Sequence, residues 1–355
     1  MAIEYVDLTN FMAFEKLKIK FSKGINVLFG ENSTGKTAIL KLLYSISKSS
    51  SDFYGRKNDG TKDEFEQMIV SKLIGTFRCD NDAVGRLVGR KQGSNRTDIK
   101  IGFSASDFVS IGFSNRSTKH VDLSTEVGKN AKVTPVFIPP KEIISSTSNF
   151  TSLYEDYHID FEETYYDLAK LLLRPLSRGT NAQWQQELLS SFEETFNGNV
   201  IQKDNKFYLK MPESGEYEMG LVSEGYRKLS TLNYLIRSGS LGKNSILFWD
   251  EPESNLNPKM IPYLVKFLME LSSKGVQIFI STHSYFIQQE FNLYSSYKNA
   301  NTNNIDIKYI SLFKDPDNIR SVKYENSNVL NEIIHNSIME EFDALYDREI
   351  RWSND

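Results

Sequence analysis

The chain has 355 residues and a single cysteine, Cys79. One thiol cannot close an internal disulfide, so no covalent staple holds the fold, and the usage suits a reducing cytoplasm. No apolar run approaches the ~20 residues that a membrane-spanning helix needs. The start, Met1-Ala2-Ile3-Glu4, lacks the basic residues and apolar stretch of a secretion signal. Charge of one sign is also missing. Lys and Arg number 42 against 46 Asp and Glu, a net of −4, so global charge selects no partner. No internal repeat is present, and no heptad pattern lasts long enough for a coiled coil. What remains is a chain with 39% hydrophobic residues, enough for a sizeable core, expected to be a cytoplasmic α/β protein.

Three short runs are mostly apolar: "INVLF" (25–29), "SILFWD" (245–250) and "VQIFIST" (276–282). Such runs read as buried strands. Helical periodicity follows the first in "TAILKLLYSI". Residues 48–62 are rich in Ser, Gly, Lys and Asp and read as an exposed loop. A second helix is expected over 63–77. From 84 to 132, short β-like pieces separated by Gly, Ser and Asn predict a small antiparallel meander. Residues 150–195 have helical spacing. "GNVIQKDNKFYLKM" reads as a hairpin turning near Asp204-Asn205. Residues 222–237 and 258–274 read as helices, 307–325 as a closing strand pair, and 328–350 as a helical tail. Buried strands alternating with helices predict a wound, mostly parallel α/β core. An N-terminal antiparallel β lobe and a helical insertion complete it.

Gly30-Glu31-Asn32-Ser33-Thr34-Gly35-Lys36-Thr37 fits G-x-x-x-x-G-K-[ST] at every fixed position. Glycines at Gly30 and Gly35 let the backbone curl, so that N–H groups of Asn32, Ser33 and Thr34 point at phosphate oxygens. The next helix presents its positive end. Lys36 supplies a charge at the β- and γ-phosphates, and Thr37 an oxygen to Mg²⁺. Without a ligand the same residues would make a glycine-rich helix cap. "ILFWDEPESNLNP" sets Asp250 and Glu251 at the end of a buried strand, on the edge where α/β sheets bind ligands. Asp250 is placed to hold Mg²⁺ and Glu251 to polarise an attacking water. Standing alone, the pair could equally be a turn cap.

Two further stretches carry a resemblance. "LVSEGYRKLSTL" (221–232) resembles the signature motif of ABC-type ATPases, and "ISTHS" (280–284) their switch-histidine strand. The order of phosphate loop, signature, Asp-Glu strand and histidine is that superfamily's order. The chain most resembles its soluble branch of RecF-like repair proteins and OLD-type phage-defence ATPases, which favours "DEPExxLxP", here Asp250 to Pro258. The resemblance implies a P-loop fold of ABC-ATPase type, built as one composite ATPase domain. Residues 1–140 form the phosphate-loop lobe with the meander. Residues 141–200 form the helical insertion, and 201–355 the second lobe with its helical tail. It implies ATP and Mg²⁺ as cofactors and a homo-oligomer, at least an ATP-sandwich dimer. Ser223 and Gly225 would close on the nucleotide of the other subunit, and His283 would touch the γ-phosphate from its own. Read alone, Ser223 is an N-cap and His283 a polar group at a strand end.

The chain departs from the pattern in places. Glu224 replaces a glycine of the signature. Facing inward it would repel a γ-phosphate, so it is expected to turn away and pair with Arg227 or Lys228. The usual glutamine loop is replaced by "FIPPKEII" (137–144), which offers Lys141 and Glu142. Only about 70 residues follow Ser284, without the carboxylate cluster of a nuclease domain. The chain is therefore expected to act as an ATPase that controls a separate effector such as a nuclease, in anti-phage defence. A RecF-like DNA-binding role and a nucleotide-gated module with little turnover are the alternatives. For DNA, residues 86–132 carry nine Lys or Arg (Arg86, Arg90, Lys91, Arg96, Lys100, Arg116, Lys119, Lys129, Lys132) against four acids. They form either a phosphate-following face or a guarded sheet edge. Phe103, Phe108 and Phe113 are expected to pack beneath the meander.

Overall fold

A strand buried on every residue needs partners on both edges and a layer on both faces. Residues 25–30, 245–250 and 277–282 are each buried throughout. The computed structural model describes residues 2–56, 60–90, 92–104, 106–125, 133–157, 159–176, 183–196 and 198–353, and it supplies both requirements. Its first half runs β1 (Tyr5–Phe11), β2 (Phe14–Lys20), β3 (Ile25–Gly30), α1 (Lys36–Tyr54), α2 (Lys62–Phe77), β4 (Arg96–Gly102), β5 (Phe108–Ser114), β6 (Asp122–Thr125) and β7 (Thr134–Ile138). Then come α3 (Thr147–Tyr157), α4 (Glu163–Leu172), α5 (Gln183–Phe196), β8 (Asn199–Lys203), β9 (Lys206–Met211) and β10 (Gly215–Glu218). The rest is α6 (Glu224–Arg237), β11 (Ser245–Asp250), α7 (Ile261–Ser273), β12 (Gln277–Thr282), α8 (Tyr285–Ser296), β13 (Ile307–Asp315), β14 (Asn318–Ser327) and α9 (Ser337–Ser353).

The central sheet has the order β14-β13-β3-β12-β11-β7. Its strands are parallel apart from the β14 edge. Along β3, Val27 and Phe29 join one buried cluster and Leu28 the other, as a pleat with both faces covered requires. On one face lie α1, α2 and an antiparallel sheet of order β2-β1-β4-β5-β6. On the other lie α4, α6 and α7. The α/β P-loop class expected from the sequence is the class observed.

Some expectations need correction. Residues 48–54 are not loop, since α1 runs to Tyr54. Its serines stay helical by bonding back one turn: Ser45 Oγ donates to the Lys41 carbonyl and Ser50 Oγ to that of Ile46, both at 2.7 Å. The meander is no separate unit, because β4 pairs with β1 and merges it with the N-terminal hairpin. The tail becomes helical only at Ser337. The sequence reading made no helix of Tyr285–Ser296 and no strand of Gly215–Glu218. The hairpin turn lies where expected, with Asp204 and Asn205 both at positive φ (49° and 60°). No helix among the described residues is long and apolar enough to cross a membrane.

Candidate functional site

Three neighbouring parallel strands, β3, β12 and β11, end together on one edge of the sheet. Their last residues, Gly30, Thr282 and Asp250, bring the phosphate loop, His283 and Glu251 to one place. Steric crowding explains the two loop glycines. A Cβ at Gly30 would stand 1.9 Å from the Leu312 carbonyl oxygen, and one at Gly35 would stand 2.6 Å from the Phe14 ring. Both take positive φ, which other residues bear at a cost.

Within the loop, Lys36 Nζ donates to the carbonyls of Gly30 (2.9 Å) and Glu31 (2.7 Å). Burial pushes its ammonium down to about 8, against the opposing pull of Asp250, Glu251, Glu253 and Glu31. A buried cation held by neutral carbonyls is poised to accept an anion. Thr34 Oγ1 donates to the Glu31 carbonyl at 2.8 Å and pins the loop.

Thr37 Oγ1 lies 2.9 and 3.1 Å from the two carboxylate oxygens of Asp250, and Ser281 Oγ donates to the same carboxylate. Asp250 is buried, and desolvation raises its pKa despite these two bonds. A hydroxyl and a carboxylate at hydrogen-bond distance are the hard oxygen donors that Mg²⁺ takes, usually with waters and phosphates completing the shell. The residues fit that ion. Glu251 follows at φ 47°, a left-handed conformation, with its N–H on the Ser281 carbonyl at 3.0 Å. That backbone reversal turns its side chain into the cleft beside His283. Burial, and secondarily Lys36, holds the His283 imidazole below its ordinary value, so at neutral pH it is uncharged.

The cleft measures about 650 Å³, and its lining includes Asn32, Ser33, Gly35, Lys36, Thr37, Glu251 and His283. Met12, Ala13, Phe14, Ala38, Lys41 and Phe77, which the sequence reading did not single out, complete the lining. Met12 takes φ 49° at the β1–β2 turn; a short positive-φ turn between two alternating strands was the available signal. A larger cleft of about 760 Å³ lies between α1, α2 and α4. It contains none of the motif residues, so the chemistry belongs to the smaller one.

Glu253 was also missed. Its Oε1 accepts from Thr282 Oγ1 and from the His283 N–H, both at 2.7 Å. Burial raises its pKa, and Oε2 is buried without a hydrogen-bond partner. It ties the loop after β11 to the strand end that carries His283. Its place in the "DEPExxLxP" stretch, two residues beyond Glu251, was the hint.

The signature residues sit elsewhere. Ser223 begins α6 but makes no side-chain capping bond, and it is exposed. Gly225 packs against the loop after β11, where a Cβ would meet the Asn255 carbonyl at 3.0 Å. Neither residue lines the cleft. Among the described residues Glu224 makes no close ion pair with Arg227 or Lys228, although its charge acts on the Lys228 ammonium. Arg227 pairs with Glu142 at 3.1 Å, and Lys228, 1% exposed, donates to the Glu251 carbonyl at 3.2 Å and to Ser254 Oγ. On the meander, Arg96 is engaged by Asp98 and Asp122, and Lys100 lies over the Phe108 ring. Lys91, Lys129 and Lys132 lie outside the described residues. Phe103 and Phe113 are buried as expected, while Phe108 is half-buried.

Known proteins resemble this chain in sequence over short stretches and in fold over most of its length. The DNA replication and repair protein RecF of Clostridium botulinum (strain Eklund 17B / Type B) is 30% identical over 80 residues, which is 22% of each chain. RecF of Clostridium kluyveri is 47% identical over 51 residues, 14% of each. The chain thus spans about a fifth or less of the length of these curated relatives. Among solved structures, an Smc head bound to the C-winged helix domain of ScpA superimposes with a TM-score of 0.56. It is 13% identical and covers 94% of this chain and 99% of that one. An Smc head with an extended coiled coil, bound to the C-terminal domain of ScpA from Pyrococcus furiosus, gives 0.50 at 13% identity, covering 96% and 99%. These likenesses show the fold, a P-loop α/β fold of the ABC and Smc-head kind. The family described as "AAA domain, putative AbiEii toxin, Type IV TA system" matches residues 25–287, and the chain belongs to this family of P-loop ATPase domains.

Proposed function

We propose that the protein binds ATP with Mg²⁺, dimerises across two nucleotides and hydrolyses ATP to control a separate effector, such as a nuclease, in anti-phage defence. One observation carries the nucleotide half of this reading. Lys36, Thr37, Glu251 and His283 share one cleft, while the exposed, uncapped Ser223 lies outside it. The first group suffices to bind; the second is free to meet a nucleotide held by another copy.

The roles follow from chemistry. The backbone of 30–37 and the start of α1 cradle phosphates. Lys36 exchanges its carbonyl partners for phosphate oxygens. Thr37 and Asp250 hold the metal, whose charge would offset that of the phosphates. Glu251 takes a proton from the attacking water, and His283 hydrogen-bonds to the γ-phosphate side. Glu253 keeps the His283 backbone in place. Membership of a family described by a toxin–antitoxin system supports a role alongside a second component.

Titration calorimetry with ATP and Mg²⁺, followed by light scattering for a nucleotide-dependent dimer, tests the first half. Co-purification of a neighbouring effector from the native host tests the second. Failure to bind ATP removes the whole reading. Binding without turnover would leave a nucleotide-gated module. RecF-like DNA binding is the second reading, favoured by the matched RecF stretches. It requires salt-dependent affinity for duplex DNA that is lost when Arg86, Arg90 and Arg116 are neutralised together.

A further inference from the structure

The sequence left open how occupancy of the phosphate cleft reaches the helical insertion, because no glutamine loop is present. The structure offers a different connection. Lys41 lies one helical turn beyond Thr37 on α1, and so on the same face. It lines the cleft, and its charge acts on the Asp250 carboxyl. Its Nζ is 2.5 Å from Glu162 Oε1, with the lysine side chain only 13% exposed. Glu162 is the N-cap residue of α4, the helix of the insertion that packs on the signature helix α6. One side chain thus faces the phosphate and metal groups on one side and the insertion on the other.

A second set of charges holds the same helix without touching the cleft. Lys72 of α2 pairs with Glu163 (2.5 Å) and Asp167 (2.9 Å), and Tyr44 donates to Asp167 at 2.6 Å. None of these four residues lines the phosphate cleft. This inner cluster anchors α4 whatever the cleft contains. The Lys41–Glu162 pair differs because phosphate oxygens would compete with Glu162 for the same ammonium. A metal at Thr37 and Asp250 would repel it.

We propose that Lys41 is a positioning residue that reports occupancy of the cleft to the helical insertion through its ion pair with Glu162. The inference rests on the nucleotide reading. A ligand shifts a structural equilibrium only through contacts that differ between the two states, and this pair is a contact that a nucleotide would change. Its consequence travels along α4 to α6 and so to Ser223.

The test compares Lys41→Met, Glu162→Gln, the double variant and Glu163→Gln. ATP affinity is measured by calorimetry, and hydrogen exchange over 163–172 is followed with and without a non-hydrolysable ATP analogue and Mg²⁺. The unsubstituted protein should show a nucleotide-dependent change in exchange. Glu162→Gln should lose most of that change while holding affinity within about threefold. Lys41→Met should lose it as well, and the double variant should be no worse than either single one. Glu163→Gln should melt at a lower temperature yet keep the response. A normal response in Glu162→Gln overturns the inference. So does loss of the response in Glu163→Gln, which would assign the coupling to the whole interface. If Lys41→Met lost affinity while Glu162→Gln behaved normally, Lys41 would be only a phosphate ligand. A protein that binds no nucleotide brings down the nucleotide reading and this inference together, whereas binding with an unaltered Glu162→Gln response brings down the inference alone.

Discussion

The phosphate-loop side and the signature side of this molecule are built differently. At the ends of β3, β11 and β12, the main polar groups already have partners. Lys36 holds two carbonyls, and Asp250 holds two hydroxyls. Asp250 and Ser281 lie on buried strands, and Lys36 and Thr37 open the helix that follows a third. At the start of α6, Ser223 is exposed and caps nothing, and Leu221 beside it is 79% exposed. A helix N-terminus normally fills its unpaired N–H groups with a side chain or an anion. One side is finished, its polar groups already paired, and the other leaves a helix N-terminus without a side-chain cap. On the proposed reading, function is divided between copies of the chain.

That comparison can be broken most sharply at Glu251. Glu251→Gln should lower ATP hydrolysis by about 10²–10⁴-fold, the range for loss of a general base. Affinity should hold and a nucleotide-bound dimer should accumulate; unchanged turnover in a phosphate-release assay would remove the base assignment. Next is Lys36→Ala, expected to weaken ATP binding by about 100-fold, equivalent to about 2.7 kcal/mol. Full affinity by calorimetry would mean that the finished side is not a phosphate site. Ser223→Arg separates the two sides. It should leave affinity within about threefold and reduce hydrolysis about tenfold or more, because only the composite site is blocked. Mixing it with Lys36→Ala should restore activity, since the mixed dimer rebuilds one intact site. A mixture as inactive as its parts would refute the division. The smallest effect is expected at Glu253→Gln, which keeps an acceptor for Thr282 and His283 and should cost only a few-fold in kcat, about 1 kcal/mol. Glu253→Ala should cost more, and equal losses in the two variants would show that the bonds to the strand end are unimportant.

How much could be read from sequence depended on what marks each element. β3, β11 and β12 were legible because a strand buried on both faces is mostly apolar. The phosphate loop was legible because its glycines are demanded by the Leu312 carbonyl and the Phe14 ring as well as by the ligand. The end of α1 was hidden by composition. Ser45, Ser47, Ser49 and Ser50 are buried, yet serine-rich sequence normally signals a loop. The merging of β4 with β1 joins residues about 90 positions apart, and local periodicity holds no information on such pairing. Lys41 and Lys228 act through partners distant in sequence, so no spacing rule exposes them, and the "DEPExxLxP" pattern marks Glu253 without giving its partners. The pairing of Glu224 with Arg227 was misjudged for the same reason, since Glu142 reaches Arg227 from another segment.

The left-handed backbone at Glu251 has a further consequence. For an L-residue with a Cβ that conformation costs about 1–2 kcal/mol, and asparagine or glycine bears it more easily. The lysine beneath it, Lys228, grips the Glu251 carbonyl and holds the turn in place. The chain therefore keeps its proposed base where folding alone would choose another residue. Glu251→Gly should melt at a higher temperature than the unsubstituted protein while losing hydrolysis. Selection for thermal stability alone would then erode this position, so laboratory stabilisation of the domain should be screened for activity at each step.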